Sequence, residues 1–155
     1  AGRRCAAAAF PQGRTGMKRY TIPRLGARLL LPLILLFALY VQFHGDYGPG
    51  GGFQAGVIFG AGFILYALIY GLDNARRLVP PWLLRIGVSL GVLLYAGVGL
   101  MGLFLGGNFL DYGVLDRHDP VHGQHLGILL VELGVGITVA SVMISIFYAF
   151  AGRGR

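Results

Sequence analysis

Four long runs of apolar residues, separated by short polar connectors, dominate the chain. They cover residues 25–44, 53–72, 82–106 and 126–151. Each run reaches the roughly 20 apolar residues that a helix needs to cross a hydrocarbon layer about 30 Å thick. Because lipid offers no hydrogen bonds, backbone N–H and C=O groups must pair within each run, which favours helices. The pattern therefore predicts an all-α membrane protein, with a domain of four transmembrane helices over residues 25–151.

The positions of the charged residues predict the orientation in the membrane. The chain has 13 Lys and Arg against 6 Asp and Glu, a net charge of +7. Apart from Arg117, these cations precede or begin the first run, lie between the second and third runs or at the start of the third, or follow the fourth. Connectors rich in Lys and Arg stay in the cytoplasm. We therefore predict cytoplasmic termini, including the tail 152–155, and interpret the basic excess as a topology signal rather than nucleic-acid binding.

The N-terminal segment, residues 1–24, is basic and lacks apolar periodicity, so we expect it to be disordered. Residues 1–16 are rich in alanine and unlike the rest of the chain, and Met17 opens a stretch that reads like a natural start. We interpret residues 1–16 as upstream translated sequence or a leader, and assign them no function. Cys5 is the only cysteine, which excludes an intrachain disulfide and a cysteine metal site.

Small residues inside the apolar runs predict close helix packing. In lipid, helices associate through van der Waals contacts, and small residues four positions apart let their backbones approach. Several of the 27 glycines have this placement, and the candidates are Gly56, Gly60, Gly87, Gly91 and Gly136. The pattern is compatible with glycine faces that pack among the helices of this chain and with glycine faces that pack against other subunits.

Glu132 is the only acidic residue well inside an apolar run. A charge near the bilayer centre costs about 2.5–3.5 kcal/mol on insertion scales, so such residues usually face protein or water and often serve ion paths. One interpretation is movement of a cation or proton through Glu132. The other is a structural hydrogen bond that holds the fourth helix to a neighbour. Since no second ionisable residue lies at this depth, a complete proton wire would need groups from elsewhere.

The most distinctive connector is the stretch His-Gly-Asp-Tyr-Gly-Pro-Gly-Gly-Gly-Phe at residues 44–53. Its glycines permit a backbone path that other residues would forbid. No Gly-Lys-Ser/Thr follows, so it is not a phosphate-binding loop of the Walker type. It is either a tight turn or a docking or cation-funnel element, with His44 and Asp46 near the mouth. The candidate docking residues are Pro49, Gly50, Gly51, Gly52 and Phe53.

Three histidines before the fourth run, His118, His122 and His125, have a spacing that could converge on a metal if they were helical. Pro120 and Gly123 are expected to interrupt such a helix, so we predict no metal site and no cofactor. The chain also lacks a nucleophile–base constellation and a redox motif, and we predict that it is not an enzyme.

The run YVQFHGDYGPGGGFQAGVIFGAGFIL resembles the signature of the MnhB/MrpB family, a family of small subunits of multisubunit Mrp-type cation/proton antiporters. The stretches YAGVGLMGLFLGGNFLDY and LLVELGVGI are similar to that family too, and the resemblance covers about residues 25–150. In the family an acidic residue recurs near the start of the last helix, and Glu132 stands at the matching place.

This resemblance implies a multi-pass subunit of a hetero-oligomeric complex in the bacterial cytoplasmic membrane, with other antiporter subunits as partners. Such complexes exchange cytoplasmic Na⁺, or sometimes K⁺ or Li⁺, for external protons. The large subunits of the complex carry the main proton channels, whereas the MnhB/MrpB subunit serves assembly and is a candidate for lining a cation route. Two alternatives stay open: a structural subunit of a related redox-linked complex such as a membrane-bound hydrogenase, and a stand-alone homo-oligomeric channel.

Overall fold

A computed structural model describes residues 21–45, 48–116 and 119–152, so the N-terminal segment up to residue 20, Asp46, His118 and the tail from residue 153 lie outside the described residues. The described residues form helices and no strand. The helices are α1 (Thr21–His44), α2 (Gly52–Tyr70), α3 (Leu72–Leu78), α4 (Pro81–Phe104) and α5 (Pro120–Ala151), with a 3-10 turn at Tyr112–Val114. By length and composition, α1, α2, α4 and α5 can each cross a membrane, which confirms the predicted all-α fold with four transmembrane helices.

The last helix begins earlier than the apolar pattern indicates, at Pro120 rather than residue 126. The Asp119 carboxylate caps it by accepting hydrogen bonds from the backbone N–H groups of Val121 (3.1 Å) and His122 (3.3 Å). Pro120 occupies the first helical turn, where a missing N–H costs nothing. The expectation that Pro120 and Gly123 interrupt a helix here was wrong, because Pro120 starts α5 and Gly123 lies buried within it.

The four long helices form an open layer in the order α1–α2–α5–α4. Helix α5 packs closely against both α2 and α4, and α1 packs against α2, while α1 and α5 barely touch. Helices α1 and α4 are therefore the two edges of the layer. Only 11% of the apolar window of α1 is buried within the chain, against 39% for α2, so α1 leaves most of its surface to lipid or to another protein.

The glycines predicted to pack helices lie at contacts between the helices of this chain. Between α2 and α5, a Cβ on Gly56 would lie 2.7 Å from the carbonyl oxygen of Gly136. Between α4 and α5, a Cβ on Gly91 would lie 2.5 Å from the carbonyl oxygen of Gly134. Such contacts bring the backbones together as lipid-embedded packing requires. The two remaining candidates, Gly60 and Gly87, face Met143 and Ser141 of α5.

The arginine-bearing end of the layer holds a buried hydrophobic cluster. The cluster comprises Phe63, Ala67, Ala75, Leu84, Ile144 and Tyr148. The Tyr148 hydroxyl donates a hydrogen bond to the carbonyl oxygen of Val79 (3.0 Å), and the Arg76 guanidinium lies 5.6 Å from the centre of the Tyr148 ring. Helix α3 and the residues after it thus tie α2, α4 and α5 together at this end.

Candidate functional site

The carboxyl group of Glu132 lies inside the glycine-rich turn that connects α1 and α2. A Cβ added to Gly45 would overlap both carboxylate oxygens of Glu132, and one added to Gly51 would lie 2.7 Å from Oε1. Gly52 packs on the backbone of Glu132 so closely that a Cβ there would overlap its carbonyl oxygen. The turn therefore wraps the side chain of Glu132, in a space that only residues without side chains leave open.

The backbone of the turn requires glycine for a second reason. Gly51 has φ +126° and ψ −174°, a region that is essentially restricted to glycine. This conformation starts α2 at Gly52, and the Ala55 N–H donates to the Gly51 carbonyl oxygen at 3.0 Å. The first N–H groups of a helix have no partner within it and form the positive end of the helix dipole. The Glu132 carboxyl thus lies beside a helix terminus that favours negative charge.

His44 is the last residue of α1 and lies at the same turn. Its ring stacks on that of Tyr40, with centroids 5.1 Å apart and an angle of 18° between the planes. A Cβ on Gly48 would lie 3.1 Å from His44 Nε2, so the ring also packs against the turn. The structure therefore brings His44, the glycines and Glu132 together, whereas Asp46 lies outside the described residues. Pro49 and Phe53 of the same turn are exposed.

Gln42 is a polar neighbour of this site that the sequence analysis did not single out. The side chain is only 9% exposed, and its Oε1 lies 2.6 Å from where a Cβ on Gly136 would be. Gly136 lies one helical turn after Glu132 on α5. The Gln42 side chain therefore extends the polar part of the site along α5, toward the middle of the span. From the sequence, an amide close to the end of an apolar run is expected at the membrane interface, and only its position beside Gly136 in the folded chain shows that it is buried.

The depth of Glu132 follows from the lengths of the helices. Helix α2 has 19 residues and is therefore about 28 Å long, close to the thickness of the hydrocarbon layer. Since Glu132 meets Gly52, it is level with the first turn of α2 rather than with its middle. The part of α5 before Glu132 extends about 18 Å further. The sequence pattern placed Glu132 well inside a run, and the structure places it at the level of the turn between α1 and α2.

The connector between α4 and α5 covers the projecting part of α5. The Tyr112 ring packs on Gly127, and burial, followed by the nearby Tyr95, raises the pKa of Tyr112 above its ordinary value. The Asp116 carboxylate accepts a hydrogen bond from the Asp119 N–H at 3.2 Å. Asp116 and Asp119 therefore lie at the start of α5, about 18 Å along the helix from Glu132. Within the described ranges, His, Cys, Asp and Glu side chains form no group of three that could hold a metal ion.

Comparison with known proteins identifies the family of this chain. The family described as "Domain related to MnhB subunit of Na+/H+ antiporter" matches residues 22–145. Proteins named antiporter subunit mnhB2 from Staphylococcus haemolyticus (strain JCSC1435) and Staphylococcus aureus (strain Newman) are each 32% identical over 127 residues, which is 81% of this chain and 89% of theirs.

A solved structure is similar as well. One chain of "Structure of Mrp complex from Dietzia sp. DQ12-45-1b" superposes with a TM-score of 0.55 and 29% identity over 92% of this chain. The match covers 16% of the Dietzia chain, so a unit with this fold is embedded there in a much longer polypeptide.

Proposed function

Because the chain belongs to the MnhB family of Na⁺/H⁺ antiporter subunits, we propose that it contributes Glu132 to a cation or proton route through the antiporter. The resemblance stated from the sequence is confirmed, and the chain is a small multi-pass subunit of a multisubunit bacterial antiporter with other antiporter subunits as partners. The role of Glu132 within that assembly is the proposal. We also propose that the chain serves assembly and catalyses no covalent reaction.

The proposal rests on the position of the Glu132 carboxyl group, which lies within the glycine-rich turn. The group lies at one end of a span, next to the start of α2, and the preceding part of α5 leads from it to the acidic α4–α5 connector. A carboxyl in this place can take up an ion or proton arriving from the outer side and pass it into the membrane. His44, stacked at the same turn, and Asp46 are the proposed outer mouth of the route.

One ionisable group at this depth cannot cross the membrane alone. Among the described residues of the four spans, the other charged side chains lie toward the opposite end, on Arg24 and Arg28 of α1 and Arg85 of α4. A transport path needs relays spaced through the hydrocarbon layer. The remaining groups must therefore come from sister subunits, and the route runs along a boundary between this chain and its partners.

The arginines also support the proposed orientation. Arg24, Arg76, Arg77 and Arg85 lie at the end of the layer opposite to the Glu132 turn. With this end in the cytoplasm, as the excess of positive charge favours, both termini are cytoplasmic and Glu132 faces the exterior. Na⁺ then leaves the cell and protons enter past the Glu132 side.

The substitution Glu132→Gln tests this function in the complete antiporter complex, because it keeps the shape of the side chain and removes its charge and proton. We expect Na⁺/H⁺ exchange in everted vesicles to fall by about tenfold or more, since a lost proton-transfer group usually costs at least that much. Asp73→Asn removes an exposed carboxylate at the other end of the layer and should leave exchange unchanged. Normal exchange and normal Na⁺ affinity in an assembled Glu132→Gln complex would reject the proposal.

A further inference from the structure

An open groove of about 480 Å³ lies on one face of the layer and is lined by all four spans. Phe59 of α2 and Leu90 of α4 form its walls, Ile137 and Ala140 of α5 its floor, and Leu39 of α1 one end. On α5 the lining runs from Leu133 to Ile144, which is about 16 Å or three helical turns. The groove therefore has the length of a helix segment rather than of a small ligand.

Two polar side chains open into this otherwise apolar groove. They are Gln42 near its outer end, 9% exposed, and Ser141 farther along α5, 8% exposed. Within the part of the chain that the structure describes, neither the Gln42 amide nor the Ser141 hydroxyl makes a hydrogen bond. A polar group without a partner is costly in hydrocarbon, where no water replaces the missing bond. An acyl chain could fill the groove but would leave both groups unpaired, so the occupant must carry hydrogen-bonding groups.

Small residues line the floor of the groove. Gly56, Gly87 and Gly136 pack against other helices of this chain, and together with Ala140 they leave few side-chain atoms in the groove. The outer end of the groove continues into the site described above, because Leu133 lines the groove and adjoins Glu132, and Gln42 contacts Gly136.

We propose that this groove receives a transmembrane helix of a sister antiporter subunit, which places a hydrogen-bonding side chain against Gln42 about one helical turn from Glu132. The inference rests on the proposed function and deepens it, because it locates the subunit boundary along which the route continues. The partner helix presents bulky apolar side chains to the groove and a polar residue at its outer end. Ser141 pairs with a second polar group about one turn farther in.

Photo-crosslinking in the complete complex identifies the occupant. p-Benzoylphenylalanine replaces Phe59, which lines the groove, or as a matched control Phe150, an exposed phenylalanine outside it. After illumination of native membranes, we expect the position 59 probe to form an adduct with one sister subunit, identified by mass spectrometry, in about tenfold higher yield than the control. Adducts with lipid alone, adducts with a second copy alone, equal yields from both positions, or no adduct would each overturn the proposal.

A second test fills the groove. Leu90 and Leu100 lie on the same helix with similar exposure, 50% and 48%, but only Leu90 lines the groove. We expect Leu90→Trp to reduce the sister subunits that co-purify with the chain by about tenfold, as overfilling of an interface core does, and Leu100→Trp to change nothing. Unchanged abundance of each variant chain in membranes of cells that express the complete complex verifies that the chain itself is inserted and folded. Full co-purification with Leu90→Trp would contradict the groove as an interface.

The two proposals can fail separately. If the groove is empty of protein, the probe at position 59 forms no adduct with a sister subunit, while Glu132→Gln still impairs exchange. If Glu132 lies on no route, the Glu132→Gln complex exchanges ions normally, while the adduct at position 59 still forms.

Discussion

Gly52 meets the backbone of Glu132 at a point where no side chain would fit in place of the glycine. The backbone of Gly52 rests on that of Glu132, and Gly45 and Gly51 leave the space that its carboxyl fills. The sequence identified both the acid and the glycine-rich turn as unusual features. It could not show that they meet, because some 80 residues separate them along the chain and only the packing of α2 on α5 brings them together.

The close contact predicts a strict requirement for glycine at position 52. In Gly52→Ala, the new Cβ overlaps the Glu132 backbone, so α2 must move away from α5, which costs about 1–3 kcal/mol as overpacking does. Gly97→Ala in α4 is the matched control, because no atom lies within 4 Å of its added Cβ. Thermal melting of the purified chain in detergent should show a lower Tm for Gly52→Ala and no decrease for Gly97→Ala. Equal melting of both variants would argue against the contact.

At the scale of the elements, the apolar runs were sufficient to predict the four spans, because hydrogen bonding in lipid leaves helices as the solution. They were not sufficient to predict the start of α5 or the short helix α3. The first turns of α5 carry His122, Gln124 and His125, whose polarity hides a helix that projects beyond the apolar run. Helix α3 has seven residues and three charged side chains, a composition that resembles a loop.

The projecting start of α5 depends on the Asp119 cap, which gives a prediction for this element. Asp119→Ala should destabilise the first turn by about 1 kcal/mol, whereas Asp119→Asn should retain it, because Asn caps helices as well as Asp. Hydrogen exchange at the amides of Val121 and His122, which donate to the Asp119 carboxylate, measures the effect. Faster exchange is expected in the alanine variant only. Identical exchange in all three proteins would show that the connector holds α5 without the cap.

At the scale of the whole molecule, the four spans form a layer rather than a closed bundle. A stand-alone channel needs a polar conduit enclosed by its own helices, whereas this layer offers an apolar groove and edge helices with large exposed apolar faces. Surfaces of this kind suit a subunit that partners cover on several sides. The sequence indicated that the chain depends on partners, because Glu132 is the one acidic residue within its apolar runs. The groove and the position of Gln42 follow instead from the order of the helices, which the apolar pattern does not specify.

The orientation of the chain determines which residues a reagent can reach from each side of the membrane. Asn108, before α5, and Asn74, in α3, are exposed asparagines at opposite ends of the layer. With Cys5 replaced by serine, we expect Asn108→Cys to react with a membrane-impermeant thiol reagent in intact cells, and Asn74→Cys to react only after the cells are opened. This follows because the excess of arginine holds the α3 end in the cytoplasm. The reverse labelling pattern would place Glu132 near the cytoplasmic surface, and ions would then reach it from the inner side.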